Sequence, residues 1–214
     1  MPPLSLGHDT PWRRRLGPSP REEARQTLAD QSDADLVARM ALGDEASLSE
    51  LHKRYNGELR AFATATAGAA EARAVVQEVF VELWNRRREV TADPSLRAYL
   101  FRATRTRALD NVRGRHRWTA RFKSLDMVRS HAAETNPPDS SPLATAVARV
   151  EATLPARQRE AFGLYYRHGL TYVEVGTVMG VSWGVVRNYV YLATQTVRKK
   201  MPQDLLADYF ADAS

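Results

Sequence analysis

The stretch that decides the fold is LTYVEVGTVMGVSWGVVR, which occupies residues 170–187. Thr171, followed three residues later by Glu174, has the spacing of a capping box, so a helix is expected to begin there. Gly180 is expected to end that helix in the left-handed conformation, which glycine adopts without strain. Ser182 is a good N-cap for a second helix. Two helices joined by a glycine turn predict a helix-turn-helix, a motif that binds duplex DNA.

The second helix of such a motif places its N-terminal part in the major groove. Seven of its side chains are expected to face DNA: Ser182, Trp183, Gly184, Val185, Arg187, Asn188 and Tyr191. Arg187 suits guanine edges and Asn188 suits adenine. Val186 and Val190 are expected to pack the helix inward, and Gly176 is expected where the two helices cross closely. The alternative to DNA binding is an ordinary helical hairpin with a glycine turn.

Positive charge is concentrated upstream of this motif. Eleven arginines and one lysine lie between Trp84 and Lys123 against three acidic residues, although the whole chain carries a net charge of only +6. Such a cluster is typical of nucleic-acid binding. The alternative is a solvated helical face, which is the usual meaning of a charge run.

Apolar spacing predicts helices and no strand, so the fold class is all-α. The folded, helical part of the chain is expected to begin near the N-cap candidates Ser32 and Asp33. The most regular apolar stripe consists of Val75, Val76, Val79, Phe80, Leu83 and Trp84. A helix after Pro94 is expected to hold Leu96, Tyr99, Leu100, Ala103 and Leu109 inside. The same helix is expected to turn Arg97, Arg102, Arg105 and Arg107 outward.

The chain is predicted to form two small helical domains joined by a flexible linker, with the helix-turn-helix in the C-terminal domain. A Pro- and Ser-rich composition marks the linker. The predicted segments are a flexible tail over 1–30, a helical domain over 31–120, the linker over 121–142, a helix-turn-helix domain over 143–201 and a tail over 202–214.

Composition excludes several classes of function. The chain has no cysteine, which removes disulfides and thiolate chemistry. The five histidines are scattered without ligand spacing, so neither a metal nor a cofactor is predicted, and the chain is not expected to be an enzyme. No apolar run reaches the ~18 residues of a membrane span, and the N-terminus does not look like a secretory signal. A cytoplasmic protein without membrane insertion is therefore expected.

Two separate stretches resemble one family. LPARQREAF at 154–162, with GLTY at 169–172 and the helix-turn-helix, resembles the C-terminal domain of extracytoplasmic-function (ECF) sigma factors. VVQEVFVELW at 75–84 looks like the conserved helix of their N-terminal domain. The two matches occur in the family's order on either side of the linker, and the resemblance covers about residues 32–200.

The resemblance implies three binding roles. A helix bearing Gln77, Glu78 and Glu82 would dock on the clamp coiled coil of core RNA polymerase. The helix-turn-helix would read the promoter −35 element as duplex. The basic segment would open the −10 element and hold its single strand through Arg86, Arg87, Arg88, Arg97, Arg102, Arg105 and Arg113. Tyr99, Phe101 or Trp118 would offer stacking surfaces there. The family adds an anti-sigma protein as a candidate partner.

The sequence also departs from the family. Arg73 and Ala74 stand where acidic residues are usual, Gly176 replaces an alanine, and Trp183-Gly184 is an uncommon start to the recognition helix. These changes favour a divergent member with its own promoter sequence. Two other classes of protein remain. One is a helix-turn-helix repressor or activator that acts without being a polymerase subunit, and the other is a nucleic-acid enzyme that carries this domain.

Overall fold

A computed structural model describes residues 28–90, 94–122 and 142–201, with side chains for these except at 115–122 and 142–145. Within the described residues the chain is helical and contains no strand, which confirms the predicted fold class. The N-terminal half of the described chain includes α1 (Asp33–Ala41), α2 (Glu45–Ala67), α3 (Ala69–Asn85) and α4 (Leu96–Phe122). The C-terminal half includes α5 (Pro142–Ala152), α6 (Ala156–Phe162), α7 (Tyr172–Met179) and α8 (Trp183–Lys200).

Local sequence sets the helix ends. The Ser32 side chain accepts a hydrogen bond from the Asp35 backbone amide, so the predicted N-cap of α1 is confirmed. Asp44 caps α2 in the same way. Gly68 separates α2 from α3 with a φ of 101°, a conformation that side chains rarely adopt.

The N-terminal half, α1 to α4, packs around the stripe that the sequence predicted on α3. Val75, Val76, Val79 and Leu83 are almost completely buried. They pack in one apolar cluster with residues of the neighbouring helices, including Leu36, Leu51, Leu59, Leu100 and Phe101. Burying each such side chain contributes roughly 1.5–3 kcal/mol, which holds α3 and α4 in a fixed relation.

The C-terminal half is built around α8. Helix α6 continues into a π-helical turn, Gly163–Arg167, before α7 begins. Phe162, Ala193 and Val197 are fully buried and join α5, α6 and α8 in a second apolar cluster. The inner face of α8 is thus committed to packing, and its outer face is left for binding.

The two halves pack against each other. Leu164, Leu170 and Val175 from the C-terminal half belong to the same buried cluster as Leu100 and Phe101 of α4. The sequence did not predict this contact. Most of the predicted linker and nearly all of both predicted tails lie outside the described residues, so the proposed domain boundaries stay predictions.

Candidate nucleic-acid and polymerase interface

The helix-turn-helix forms as predicted. The Thr171 hydroxyl accepts a hydrogen bond from the Glu174 amide at 3.3 Å, and the Glu174 carboxylate accepts one from the Thr171 amide at 2.9 Å. This is a complete capping box. Gly180 ends α7 in the left-handed conformation, with φ 68° and ψ 39°. Short-range sequence chemistry therefore fixes both ends of the first helix.

Gly176 packs closely against the turn of the motif, so a side chain at this position would force the turn to shift. A Cβ atom at this position would lie 2.7 Å from the Val181 carbonyl oxygen, which is closer than real Cβ atoms approach. The Val181 amide also donates a hydrogen bond to the Gly176 carbonyl at 3.0 Å. The sequence predicted a close approach here between two helices. The structure shows that the nearest neighbour is the backbone of the turn itself.

The recognition helix α8 presents the predicted DNA-facing residues to solvent. Val186 and Val190 are buried against the rest of the domain, as expected. The seven exposed candidates are Ser182, Trp183, Gly184, Val185, Arg187, Asn188 and Tyr191. Trp183 is 57% exposed and Tyr191 is 59% exposed, although both are aromatic. Ser182 occupies the N-cap position, but its side chain makes no capping hydrogen bond.

A groove of about 560 Å³ runs along α8 beside these residues. Tyr166 and Tyr172, which precede α8 in the chain, also line it. Tyr172 stacks on Tyr165 with ring centroids 4.6 Å apart. Burial and a hydrogen bond to Tyr165 raise the pKa of Tyr172 to about 12.

Sequence reasoning missed part of this groove. Thr194, Gln195 and Arg198 also line it, on the same side of α8 as Arg187 and Tyr191. Their spacing of three and four residues places all five on one helical stripe. Extending the predicted face by two more turns would have found them.

A second groove, of about 520 Å³, lies on the outer side of α4. Of the predicted strand contacts it includes Arg86 and Arg102, and the candidate stacking residue Tyr99 also lines it. Arg107 and Thr106, which were not on the predicted site list, line it too. Burial is the main cause of a raised pKa at Tyr99. Glu82 and Asp110 line the groove as well. Three arginines beside an aromatic ring suit a single strand of nucleic acid.

Several arginines near this groove have partners that they can exchange. Arg86 pairs with Glu82 and Glu89, and Arg113 pairs with Asp110 at 3.3 Å. Exposed ion pairs contribute about 0–1 kcal/mol, so a phosphate can replace the carboxylate at little cost. Arg88 is exposed.

Arg87 is held more firmly than its neighbours. Its guanidinium lies 4.5 Å from the ring centroid of Trp84 and donates a hydrogen bond to the Trp84 carbonyl at 2.9 Å. This contact orients the arginine run at the end of α3.

The prediction that Arg97 and Arg105 face outward is wrong. Both guanidiniums turn toward the C-terminal half, where Arg97 meets the His168 carbonyl and Arg105 meets Glu160. They lie on the stripe of α4 that also carries Phe101, which is fully buried and so is not a stacking surface. The Arg97 and Arg105 side chains are only 29% and 17% exposed because the C-terminal half covers this stripe, which helical periodicity within α4 does not reveal. The side chain of Trp118 lies outside the described residues.

The predicted polymerase contacts lie on the exposed face of α3. Gln77 and Glu78 are exposed, and Glu82 pairs with Arg86 and Arg107. A shallow groove of about 540 Å³ includes all three residues and Val81, which is 60% exposed. This face is opposite the buried valine stripe, as the helical period requires.

The described residues contain no group of three or more His, Cys, Asp or Glu side chains that could hold a metal ion. Among them, no helix combines the length and the apolar character that crossing a bilayer requires. His168 lies among aromatic side chains of the N-terminal half. It is buried between Phe62 and Phe101.

Comparison with known proteins identifies both halves of the chain. Residues 51–119 match the family description "Sigma-70 region 2", and residues 152–199 match "Sigma-70, region 4". A probable RNA polymerase sigma factor, RfaY of Xanthomonas campestris, is 28% identical over 195 residues, which cover 87% of this chain. The chain spans only about half of that relative, 48% of its length.

Two other relatives match over nearly their whole length. The ECF RNA polymerase sigma factor SigL of Mycobacterium tuberculosis is 27% identical over 76% of this chain and 93% of its own. A structure of the sigma factor RpoE in complex with the anti-sigma factor NepR, from Bartonella quintana, has 23% identity and a TM-score of 0.54, covering 74% of this chain and 96% of that one. With both sigma regions present in order, the chain belongs to the sigma-70 family of RNA polymerase sigma factors, in its ECF group.

Proposed function

We propose that the chain directs core RNA polymerase to specific promoters and helps to open their −10 element. The observation that carries this proposal is the presence of both sigma-70 regions in one chain, at 51–119 and 152–199. A repressor or activator that acts without polymerase needs only the second region. The chain acts through binding alone and has no chemistry of its own.

The −35 element is read by α8. Ser182, Trp183, Val185, Arg187 and Asn188 approach base edges from the first two turns of the helix, where a major groove admits it. Tyr191 and the open position at Gly184 complete the face. Arg187 contacts guanine and Asn188 contacts adenine, and each bidentate pair is worth about 1–3 kcal/mol of discrimination.

The −10 strand lies in the outer groove of α4. Arg86 and Arg102 contact phosphates there, and Tyr99 offers a partly buried ring to an unstacked base. Arg87, Arg88 and Arg113 extend the cationic surface. Arg97 and Arg105 join it only when the C-terminal half moves away, because both are paired with that half.

The exposed face of α3 binds the clamp coiled coil of core polymerase through Gln77, Glu78 and Glu82. Val81 adds an exposed apolar contact at the centre of this face. The activity belongs in the cytoplasm, where core polymerase is found. An anti-sigma protein is a further proposed partner, since the similar RpoE structure holds one.

Transcription in vitro tests the proposal. The full chain is added to purified core polymerase on a promoter library, and transcripts are mapped by sequencing their 5′ ends. We expect initiation at a set of promoters that share −35 and −10 sequences. A Gln77→Ala/Glu78→Ala variant should lose core binding but keep duplex binding. A chain that binds duplex DNA as a dimer and never binds core would be a repressor or activator instead.

A further inference from the structure

Trp183 lies at the first position of α8 and is 57% exposed, although tryptophan side chains are usually well buried. The packing of α8 does not depend on it, because the inner face of the helix is formed by Val186, Val190 and Ala193. A large aromatic ring at the start of the recognition helix is therefore available to a ligand rather than to the core.

Arg187 lies one helical turn after Trp183, so the two side chains are neighbours on the surface of α8. The guanidinium carbon of Arg187 is 6.0 Å from the centre of the Trp183 ring. Each base pair rises ~3.4 Å along duplex DNA, so a distance of this size corresponds to less than two base-pair steps. The ring and the guanidinium can therefore contact neighbouring base pairs at the same time.

Gly184 follows Trp183, and neither packing nor backbone conformation requires a glycine there. A Cβ atom at Gly184 would meet nothing within 4 Å, and its φ is not positive. Glycine destabilises a helix relative to alanine. What the missing side chain provides is open space beside Trp183 on the exposed side of α8, where a base edge can approach the backbone closely.

The chemistry of the ligand follows from the two neighbouring side chains. In the major groove thymine presents a methyl group, whereas guanine presents two hydrogen-bond acceptors. An indole ring beside a guanidinium matches a thymine methyl beside a guanine. Val185, which is also exposed, lies two residues after Trp183 and so points to the opposite side of the helix, away from both groups.

We infer that Trp183 is a specificity-determining residue of the −35 contact. Its ring contacts the methyl group of a thymine that lies within two base pairs of the guanine bound by Arg187, and Gly184 lets this base edge approach the helix. The inference rests on the proposed function, because it takes α8 as the helix that binds the −35 element. It adds the chemical group on the DNA that the exposed ring binds.

Changing single methyl groups of the DNA tests the contact. The full chain with purified core polymerase is bound to duplex promoters selected from a library, and the guanine is located as the position whose preference Arg187→Ala relaxes. Uracil then replaces each thymine within two base pairs, which removes only the methyl group. We expect one such replacement to weaken binding about three- to fivefold. At the same position, 5-methylcytosine should bind more tightly than cytosine by about the same factor.

Trp183→Ala should abolish both methyl effects, because the coupling between two groups in contact disappears when either is removed. Leu192→Ala is the matched control. Leu192 is exposed and apolar as well, but it lies nine residues along α8 and so points to the opposite side of the helix. It should keep both methyl effects. Binding to a short single-stranded −10 oligonucleotide should be unchanged in both variants, which checks that they are folded.

Gly184→Ala separates close approach of the DNA from the stability of the helix. Alanine favours a helix more than glycine does, so the free energy of unfolding should not fall. Duplex binding should nevertheless weaken about tenfold, because the added methyl group fills the space that the base edge needs. Wild-type duplex affinity in this variant would overturn the close approach on which the inference depends.

Three other results would overturn the inference. They are a selected site with no thymine within two base pairs of the guanine, a uracil replacement without cost, and a uracil cost that persists in Trp183→Ala. Initiation at the selected promoters without any uracil cost would overturn this inference alone. A chain that never initiates with core polymerase, yet binds duplex DNA with a uracil cost that Trp183→Ala removes, would overturn the proposed function alone.

Discussion

Helices α4 and α8 both carry candidate DNA contacts, yet they present them in opposite ways. The cations of α4 are largely paired with carboxylates, including Glu82, Asp110 and Glu160. In the described part of the chain, no carboxylate pairs with Arg187 of α8, whose guanidinium instead lies 6.0 Å from the ring centroid of Trp183. A count of charges therefore overstates the positive surface that α4 offers, whereas Arg187 of α8 is exposed at the start of the recognition helix.

The substitution with the largest expected effect is Gly176→Ala, which disturbs the turn before α8 and leaves α4 unchanged. Gly176→Ala puts a methyl group 2.7 Å from the Val181 carbonyl, and backbone at a turn cannot move aside cheaply. We expect the free energy of unfolding to fall by about 1–3 kcal/mol, as for other overpacked sites. Duplex −35 binding should be lost, and binding to the −10 oligonucleotide should remain.

Gly57→Ala is the matched control for this change. A Cβ at Gly57 meets nothing within 4 Å, so alanine in that helix should be neutral or stabilising. Chemical denaturation measures both variants. Equal stability of the two would show that the turn can relax and that Gly176 is not required.

A second change tests whether α8 alone carries −35 selectivity. Arg187→Ala should relax the sequence preference at one position by about 1–3 kcal/mol, or roughly 5- to 150-fold, because a bidentate base contact is lost. Core binding should be intact, since Gln77 and Glu78 lie in the other half. Binding to a randomised −35 library and to core polymerase measures the two effects. Loss of core binding would contradict this division of roles.

A third pair of changes tests the masking of cations on α4. Arg102→Gln and Arg105→Gln each remove one charge from the same helix, but only Arg105 is paired with the C-terminal half. We expect Arg102→Gln to weaken binding of the free chain to the −10 oligonucleotide about three- to fivefold and to reduce its salt slope by about 0.7. Arg105→Gln should cost less. Equal losses would mean that Arg105 contacts the strand without any opening of the halves.

The smallest expected effect is on how the free energy of unfolding depends on pH. Burial acts to raise the pKa of Glu58, but hydrogen bonds with His168 and Arg97 outweigh it and hold the pKa below the ordinary value of 4.5. A carboxylate with a lowered pKa stabilises the folded chain above its ordinary pKa, and this contribution is lost as the pH falls through the lowered value. The free energy of unfolding should therefore decline below about pH 4.5, the ordinary pKa. The decline should be shallower in Glu58→Gln, and an identical slope would show that Glu58 does not contribute.

Local sequence was enough for the helix-turn-helix. The capping box of Thr171 and Glu174, the left-handed Gly180 and the buried Val186 all follow from short-range steric and hydrogen-bonding rules. The exposed faces of α3 and α8 follow from the helical period in the same way. The orientation of Arg97 and Arg105 does not, because their partners lie 39 or more residues away along the chain.

The sequence by itself therefore determined the all-α class, the DNA-binding motif, the order of the two sigma regions and the residues on the exposed faces of α3 and α8. These depend on contacts within a few residues, which caps and periodicity encode directly. Only the tertiary structure decided which cations are available, where His168 lies and how the halves meet. Those features arise when two separately patterned surfaces bury each other, since the partner of a buried charge is chosen by packing in space rather than by its position along the chain.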